Sequence, residues 1–388
     1  MKTLNFPSFG RILLHIAVVL LYLGTIAFLF RGLGFIDVKD HNFLLIDYLD
    51  AGYFPLPPGY YLMIYLVDLI IRIKYPFVAS SILVLTLFLW WKFKLLYSWL
   101  LSSIKIKEAY LSFIALGFLF LSPIYIPAID GDFWYLGKFT QTIWHNSTLI
   151  CVFPFCILLT KETLKWLENG DFSKLLMMFF WALAIILIKP SFLFCYIPTL
   201  PILILWRDRR LSSQLLWATG FSVLLFILLL VEKELIFSWD PMQDELYTDA
   251  EKSKVVFNPF RVWLYYSKEP IFDFVGSFPL VIVFFLYWCQ EGLNSTFFKF
   301  TCLLLFFAIM VYLVFAETGF RELHGNFYWQ IPIALFLNSL SILIIVLADL
   351  SKNGKTKLKH YIFFLVYVLQ VCLGLGYWLR IFVERTLS

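Results

Sequence analysis

The sequence predicts an all-α, polytopic transmembrane bundle, and three observations carry that expectation. Of 388 residues, 61% are hydrophobic and only 15% are charged. The mean hydropathy is +0.84. Apolar runs long enough to cross a hydrocarbon core of roughly 30 Å recur from residue 11 to residue 380. In lipid every backbone N–H and C=O needs a partner within the protein, so runs of this length imply helices. A transmembrane barrel is excluded, because its strands are only about 10 residues long. The formal charge of +5 says little by itself, since the placement of Lys and Arg matters more than their sum.

Taken in order, the expected spans are 11–31, 76–98, 109–127, 147–161, 174–188, 191–206, 212–232, 270–288, 299–316, 327–349 and 361–380, about eleven in all. Segment 60–74 is apolar but short and carries Asp68, Arg72 and Lys74, so it is expected not to cross. The first run has Lys2 and Arg11 in front and no small-x-small cleavage site behind, and reads as a retained helix. "RDRR" at 207–210, "SKNGKTKLKH" at 351–360 and the N-terminus are basic and expected in the cytoplasm. Parity counting between these anchors leaves "KFK" at 92–94 and "KIKE" at 105–108 in the cytoplasm. It places the polar segments 32–59, 128–146, 233–269 and 317–326 outside, with the C-terminus outside as well. No repeat or soluble domain interrupts residues 1–388, which form one membrane domain. The six cysteines fall in or beside apolar segments without CxxC or Cys/His spacing, which points to neither a disulfide framework nor zinc.

The polar segments hold nearly all residues able to do chemistry. In "GFIDVKDHNFLLIDYLDAGYFPLPPGYYLMIY" four carboxylates, Asp37, Asp40, Asp47 and Asp50, follow the first span. From Asp40 to Ala51 the pattern is amphipathic and predicts a helix lying in the membrane interface. Gly52 and the prolines at 55, 57 and 58 then stop it. Carboxylates so close to a helix exit are costly unless paired or used, which singles out Asp37 and Asp40. Around "GKFTQTIWHNSTLI", His145 and Asn146 border the mouth of the 147–161 span, and Trp144 reads as an interfacial anchor. In the 317–326 segment one helical turn would gather Glu317, Arg321 and His324. There Arg321 could grip a phosphate with its planar fork, or merely pair with Glu317. Lys189, in "LIKPSF", reads either as a snorkelling lysine or as a contact for a lipid phosphate. The longest external segment, 233–269, mixes both charge signs with aromatics and has the length of a lid.

An Asp just beyond the first span, an interfacial helix, and Gly-x-x-Pro with Pro-Pro leading into the next apolar segment together resemble the start of the GT-C superfamily of membrane glycosyltransferases. The chain is also similar to bacterial multipass proteins that pair such a loop with "LGxxxxxxWHNxT" and "GxRxxHGNFxW". Their counterparts here are "LGKFTQTIWHNST" at 136–148 and "ETGFRELHGNFYW" at 317–329. The adjacent Asp-Glu pair of the protein O-mannosyltransferases is missing. The resemblance implies transfer of a sugar from a polyprenyl-phosphate carrier to an envelope glycan or glycolipid, on the outer face of a bacterial cytoplasmic membrane. It implies that Asp40 or Asp37 activates the acceptor, with Asp40 preferred because it opens the interfacial helix. Arg321, His324 and Lys189 would hold the donor phosphate, and Trp144, His145, Asn146 and Glu317 would line the cavity. A divalent metal is the single candidate cofactor, and no nucleic-acid partner is expected. Walker and GxGxxG motifs are absent, which argues against a nucleotide donor. The rivals are a polysaccharide polymerase or ligase, and a lipid-linked glycan transporter. The latter should show charges within its spans.

Overall fold

The computed structural model describes residues 8–32, 37–73, 76–130, 135–242, 248, 253–353 and 356–384. Lys2, Lys74 and parts of the 32–59, 128–146, 233–269 and 351–360 segments lie outside these residues. The described chain is an all-α helical bundle. Among the described residues eight helices are long and apolar enough to cross a membrane, and a ninth candidate is a bent pair.

The chain opens with α1 (Ser8–Gly32), α2 (Asp37–Asp50), α3 (Gly59–Ile71) and α4 (Val78–Ser103). It continues through α5 (Glu108–Phe118), the single turn α6 (Pro127–Asp130), α7 (Ser147–Asn169), α8 (Phe172–Ile188), α9 (Ser191–Asp208) and α10 (Ser213–Phe237). Then follow α11 (Arg261–Tyr266), α12 (Pro270–Gly276), α13 (Pro279–Asn294), α14 (Thr296–Val314), α15 (Gln330–Asn353) and α16 (Leu358–Glu384). Local chemistry sets many ends. Asn146, Asp171, Ser212 and Ser295 cap α7, α8, α10 and α14 by accepting from backbone N–H groups in the first turn. Pro270 and Pro279 open α12 and α13, where a missing N–H costs nothing.

α7 and α15 form the buried centre, while α1, α10 and α16 stand at the periphery. α2 is helical and two-faced where the sequence predicts an amphipathic helix. Val38, Asn42, Leu45 and Tyr48 make its buried stripe, and Asp40, Phe43, Asp47 and Asp50 its exposed one. Gly52, at φ 81°, ends it. α3 has 13 residues, about 20 Å of helix, too short to cross alone. At its start Gly59 lies so close to α8 that a Cβ would sit 2.6 Å from the Leu187 carbonyl oxygen. Asp68 is no stray membrane charge, since its carboxylate accepts from the Phe77 N–H at 3.0 Å and the Ser80 hydroxyl at 3.2 Å and so anchors the start of α4.

Several expectations need correction. The 109–127 span is helical only through Phe118, and residues 121–126 run without regular secondary structure. Irregular backbone at this depth is tolerated only where protein covers it and supplies partners. The polar stretch at 137–146 supplies them. Gln141 Nε2 donates to the Phe118 carbonyl at 3.2 Å, and the Thr142 hydroxyl lies 3.2 Å from the Leu119 and 2.9 Å from the Leu121 carbonyl. Gln370 of α16 adds a bond to the Ser122 carbonyl at 2.8 Å. Residues 136–146 are therefore not a solvated loop, and all but the half-buried Thr142 are buried. Their own backbone is met by aromatic residues: Trp263 donates to the Gly137 carbonyl, Tyr312 to that of Leu136, and Tyr328 bridges Lys138 and Thr140.

Lys138 pairs with Asp130 at 2.7 Å and Asp273 at 3.1 Å in a fully buried triad, which ties this stretch to α6 and α12. α12 and α13 meet at 59°, and Ser277 in the break accepts from the Phe139 N–H. Trp144, expected as an interfacial anchor, is 2% exposed and packs between Tyr22 and Phe120. The "KFK" motif lies inside α4, and Lys92 is buried under the Phe153 ring at 3.8 Å. Glu232 in α10 is also buried, so the spans are less free of charge than expected. A short antiparallel ribbon, β1 (Val255–Phe257) with β2 (Phe315–Glu317), pins part of the 233–269 segment to the end of α14.

Candidate functional site

The site grows from the N-terminus of α7. Its first N–H groups have no helical partner and carry the positive end of the helix dipole. Asn146 uses its side chain to cap Leu149, which spends the amide oxygen assigned to a cavity from the sequence. The Ser147 N–H instead points at Asp37, whose Oδ2 accepts it at 2.7 Å. Four residues on, one turn along α2, His41 Nε2 lies 3.5 Å from Asp37 Oδ1. The other ring nitrogen of His41 shares a hydrogen bond of 2.6 Å with the Tyr61 hydroxyl on α3.

Lys189, in the turn between α8 and α9, closes the opposite side. It does not snorkel outward: its Nζ donates to the Thr148 hydroxyl at 3.0 Å and lies 5.5 Å from the centroid of Trp329. His145 packs on Tyr135 at 4.8 Å and edge-on to Trp329 at 6.3 Å. The result is a recess walled by Tyr61, Tyr135 and Trp329 around one carboxylate and one ammonium.

The charges divide cleanly. Burial alone would raise the Asp37 carboxyl, but His41, the Lys189 charge and the Ser147 N–H together hold it far below the ordinary carboxylate range. Burial pushes the Lys189 ammonium down to about 8, with Asp37 opposing the fall. His145 is pushed down to about 4 by burial and is neutral at any working pH. Asp40, preferred from sequence, is exposed on α2, where partial burial and the neighbouring Asp37 charge raise it. The structure thus brings Asp37, His145 and Lys189 together and leaves Asp40 at the margin.

Arg321 is half-buried, with its guanidinium 5.2 Å from the centre of the Phe237 ring and within electrostatic reach of Tyr61 and Glu317. Glu317 is buried and hydrogen-bonded by Asn326, and burial raises its carboxyl. His324 is exposed. His41, Tyr61, Tyr135 and Trp329 were missed by sequence reasoning. The i,i+4 spacing of Asp37 and His41 was the one readable signal.

Among the described residues no group of three or more His, Cys, Asp or Glu side chains is arranged to hold a metal ion. Asp37, a single carboxylate between an imidazole and an ammonium, is a poor donor set for a divalent cation.

These features define a class: a multi-pass helical membrane protein with a polar, charge-separated, half-buried recess at one end of the bundle. Comparison with family models, curated proteins and solved structures returns no match.

Proposed function

We propose that the protein is a membrane glycosyltransferase that moves a sugar from a polyprenyl-phosphate carrier to a glycan or glycolipid acceptor on the outer face of a bacterial cytoplasmic membrane. The observation that carries this reading is the placement, at the first turn of α7, of the Asp37 carboxylate on the Ser147 N–H and the half-buried Lys189 ammonium on the neighbouring Thr148 hydroxyl. Such a transfer needs an acceptor-activating carboxylate and a cation where the phosphate departs.

The acceptor hydroxyl oxygen attacks the anomeric carbon as the bond to the carrier phosphate breaks. Its proton passes to Asp37, and His41 is placed to relay it onward. With so low a pKa, Asp37 is a poor base in advance of the reaction. It suits late proton acceptance, when bond formation has made the hydroxyl strongly acidic. Lys189 meets the charge that develops on the phosphate, and Arg321 offers a second cation at the rim. Neutral His145, with Trp329 and Tyr135, orients the sugar. In this reading α2 lies in the interface, α3 dips in without crossing, and eleven segments span, with the N-terminus inside.

The test is mass spectrometry of lipid-linked sugars in cells making the wild type or Asp37→Asn. Accumulation of one lipid-linked sugar in the variant, cleared by the wild type, is expected. Unchanged lipid profiles would sink the proposal. A lipid-linked glycan transporter is the second reading, favoured by the buried Lys92 and by Glu232, neither of whose carboxylate oxygens finds a hydrogen-bond partner. They lie on separate helices, and neither is bonded to the Asp37 recess.

A further inference from the structure

α1 and α16 stand side by side at the periphery but diverge, leaving between them a groove of about 420 Å³. It runs along about three turns at the C-terminal end of α1, and α2 begins at Asp37 five residues after Gly32, so it opens at the same end of the bundle as the recess. Leu20, Leu21, Ala27 and Phe28 give it an apolar wall, and Gly24 leaves a gap in that wall, since a Cβ there would meet nothing within 4 Å. Trp378 crosses the back and donates from Nε1 to Thr25 at 3.0 Å. Phe28 and Phe382 meet at 4.6 Å near the top, and one turn beyond them stands Arg31, exposed and with no carboxylate partner among the described residues.

Behind the groove stands a layer of three aromatic rings packed in series. Trp378 packs against Phe120 at 5.9 Å and Phe120 against Trp144 at 5.8 Å, and His145 of the recess follows directly. Trp144 Nε1 is buried in this layer without a hydrogen-bond partner among the described residues.

We infer that this groove seats the hydrocarbon chain of the lipid-linked substrate, with the phosphate held at the level of Arg31 before it reaches the recess. An apolar channel with a cation at its mouth, unpaired among the described residues, matches a single long chain ending in a phosphate, and a row of three aromatic rings links that groove to the site that would use the lipid. The inference rests on the glycosyltransferase reading for its purpose, but the seat is testable without turnover.

The probe is undecaprenyl phosphate carrying a diazirine on its chain, photolysed with the full-length protein in lipid nanodiscs and mapped by peptide mass spectrometry. Label is expected on residues 20–31 and around Trp378. Unlabelled undecaprenyl phosphate should displace it, and phosphatidylglycerol should not. Gly24→Trp, placed where a Cβ meets nothing within 4 Å, should fill the gap and cut labelling about tenfold or more by removing apolar contact with the chain. Arg31→Gln, at the exposed end of α1, should weaken labelling and supplies the test if Gly24→Trp does not fold. Label concentrated on other helices, or a diazirine phosphatidylglycerol that labels the groove equally and resists displacement, would overturn the inference in favour of ordinary annular lipid. If the seat is labelled as expected while no donor is turned over, the glycosyltransferase reading fails and the lipid seat stands.

Discussion

Replacing Lys189 by methionine separates a functional cation from a structural one, because the two roles predict opposite signs for stability and turnover. Burial lowers this ammonium from 10.5 to about 8, which corresponds to ~3 kcal/mol of cost on its charged form in the folded state. The folded state therefore releases the proton before the unfolded state does. Between about pH 8 and 10.5 the unfolded chain holds the extra proton, so this residue makes stability rise with pH there. Below about pH 8 the whole penalty is present. Methionine, one atom shorter, keeps most of the apolar stem beside Trp329, loses the hydrogen bond to Thr148, worth about 1 kcal/mol, and removes the penalty.

At pH 7 the thermal midpoint of the variant in detergent should be unchanged or higher, with a net gain of ~1–2 kcal/mol. Transfer should fall ~30-fold to several-thousand-fold, because an unpaired phosphate charge in a desolvated site costs about 2–5 kcal/mol. For the wild type, turnover should decline as pH rises through about 8, where the ammonium is lost. A variant that unfolds more easily yet still transfers sugar would show that Lys189 only braces the α8–α9 turn.

The remaining predictions are shorter. Asp37→Asn should abolish transfer, while Asp40→Asn should retain most of it; a reconstituted assay showing the reverse would restore the preference read from sequence. Lys138→Met leaves Asp130 and Asp273 buried together without their cation and should cost about 3–5 kcal/mol, read as loss of folded protein on size exclusion. Thr142→Val strips a hydroxyl shared by two carbonyls of the unwound segment and should destabilise by about 1–3 kcal/mol with KM nearly unchanged. His145, already neutral above about pH 4, should leave no inflection in the pH profile between 5 and 7, and His145→Gln should not create one.

Much of the helical order was legible because lipid forces every apolar run into a self-satisfied helix, and a helix lies at each expected span. α2 was legible as a helix with Asp40 and Asp47 on one stripe, which the 3.6-residue period gives, although Phe43, grouped by hydrophobicity with Leu44, Leu45 and Leu49, lies exposed beside those carboxylates. What sequence could not give was the company each polar residue keeps. Asp37 and Asp40 are three residues apart and chemically identical, and only the approach of α7 and Lys189 distinguishes them. The polarity of residues 137–146 pointed to a loop, because nothing local reveals that carbonyls some twenty residues earlier need donors. Trp144 was misplaced for the same reason: a tryptophan beside a span end fits the interface or the core equally well until its neighbours are known.

The unwound segment after α5 also bears on how the chain is made. Its carbonyls are satisfied by Gln141, Thr142 and Gln370, and Gly374 lies so close that a Cβ would sit 1.6 Å from the Phe120 oxygen. A ribosome delivers the last of these partners some 250 residues after the segment has left the exit tunnel. Until then the segment has bare peptide groups and cannot be released into lipid as a finished span. Insertion is therefore predicted to be out of step with synthesis here, with residues 119–126 retained beside the translocon or a membrane chaperone until α16 arrives. Nascent chains arrested before residue 358 should crosslink to that machinery through this segment, and chains that carry α16 should not.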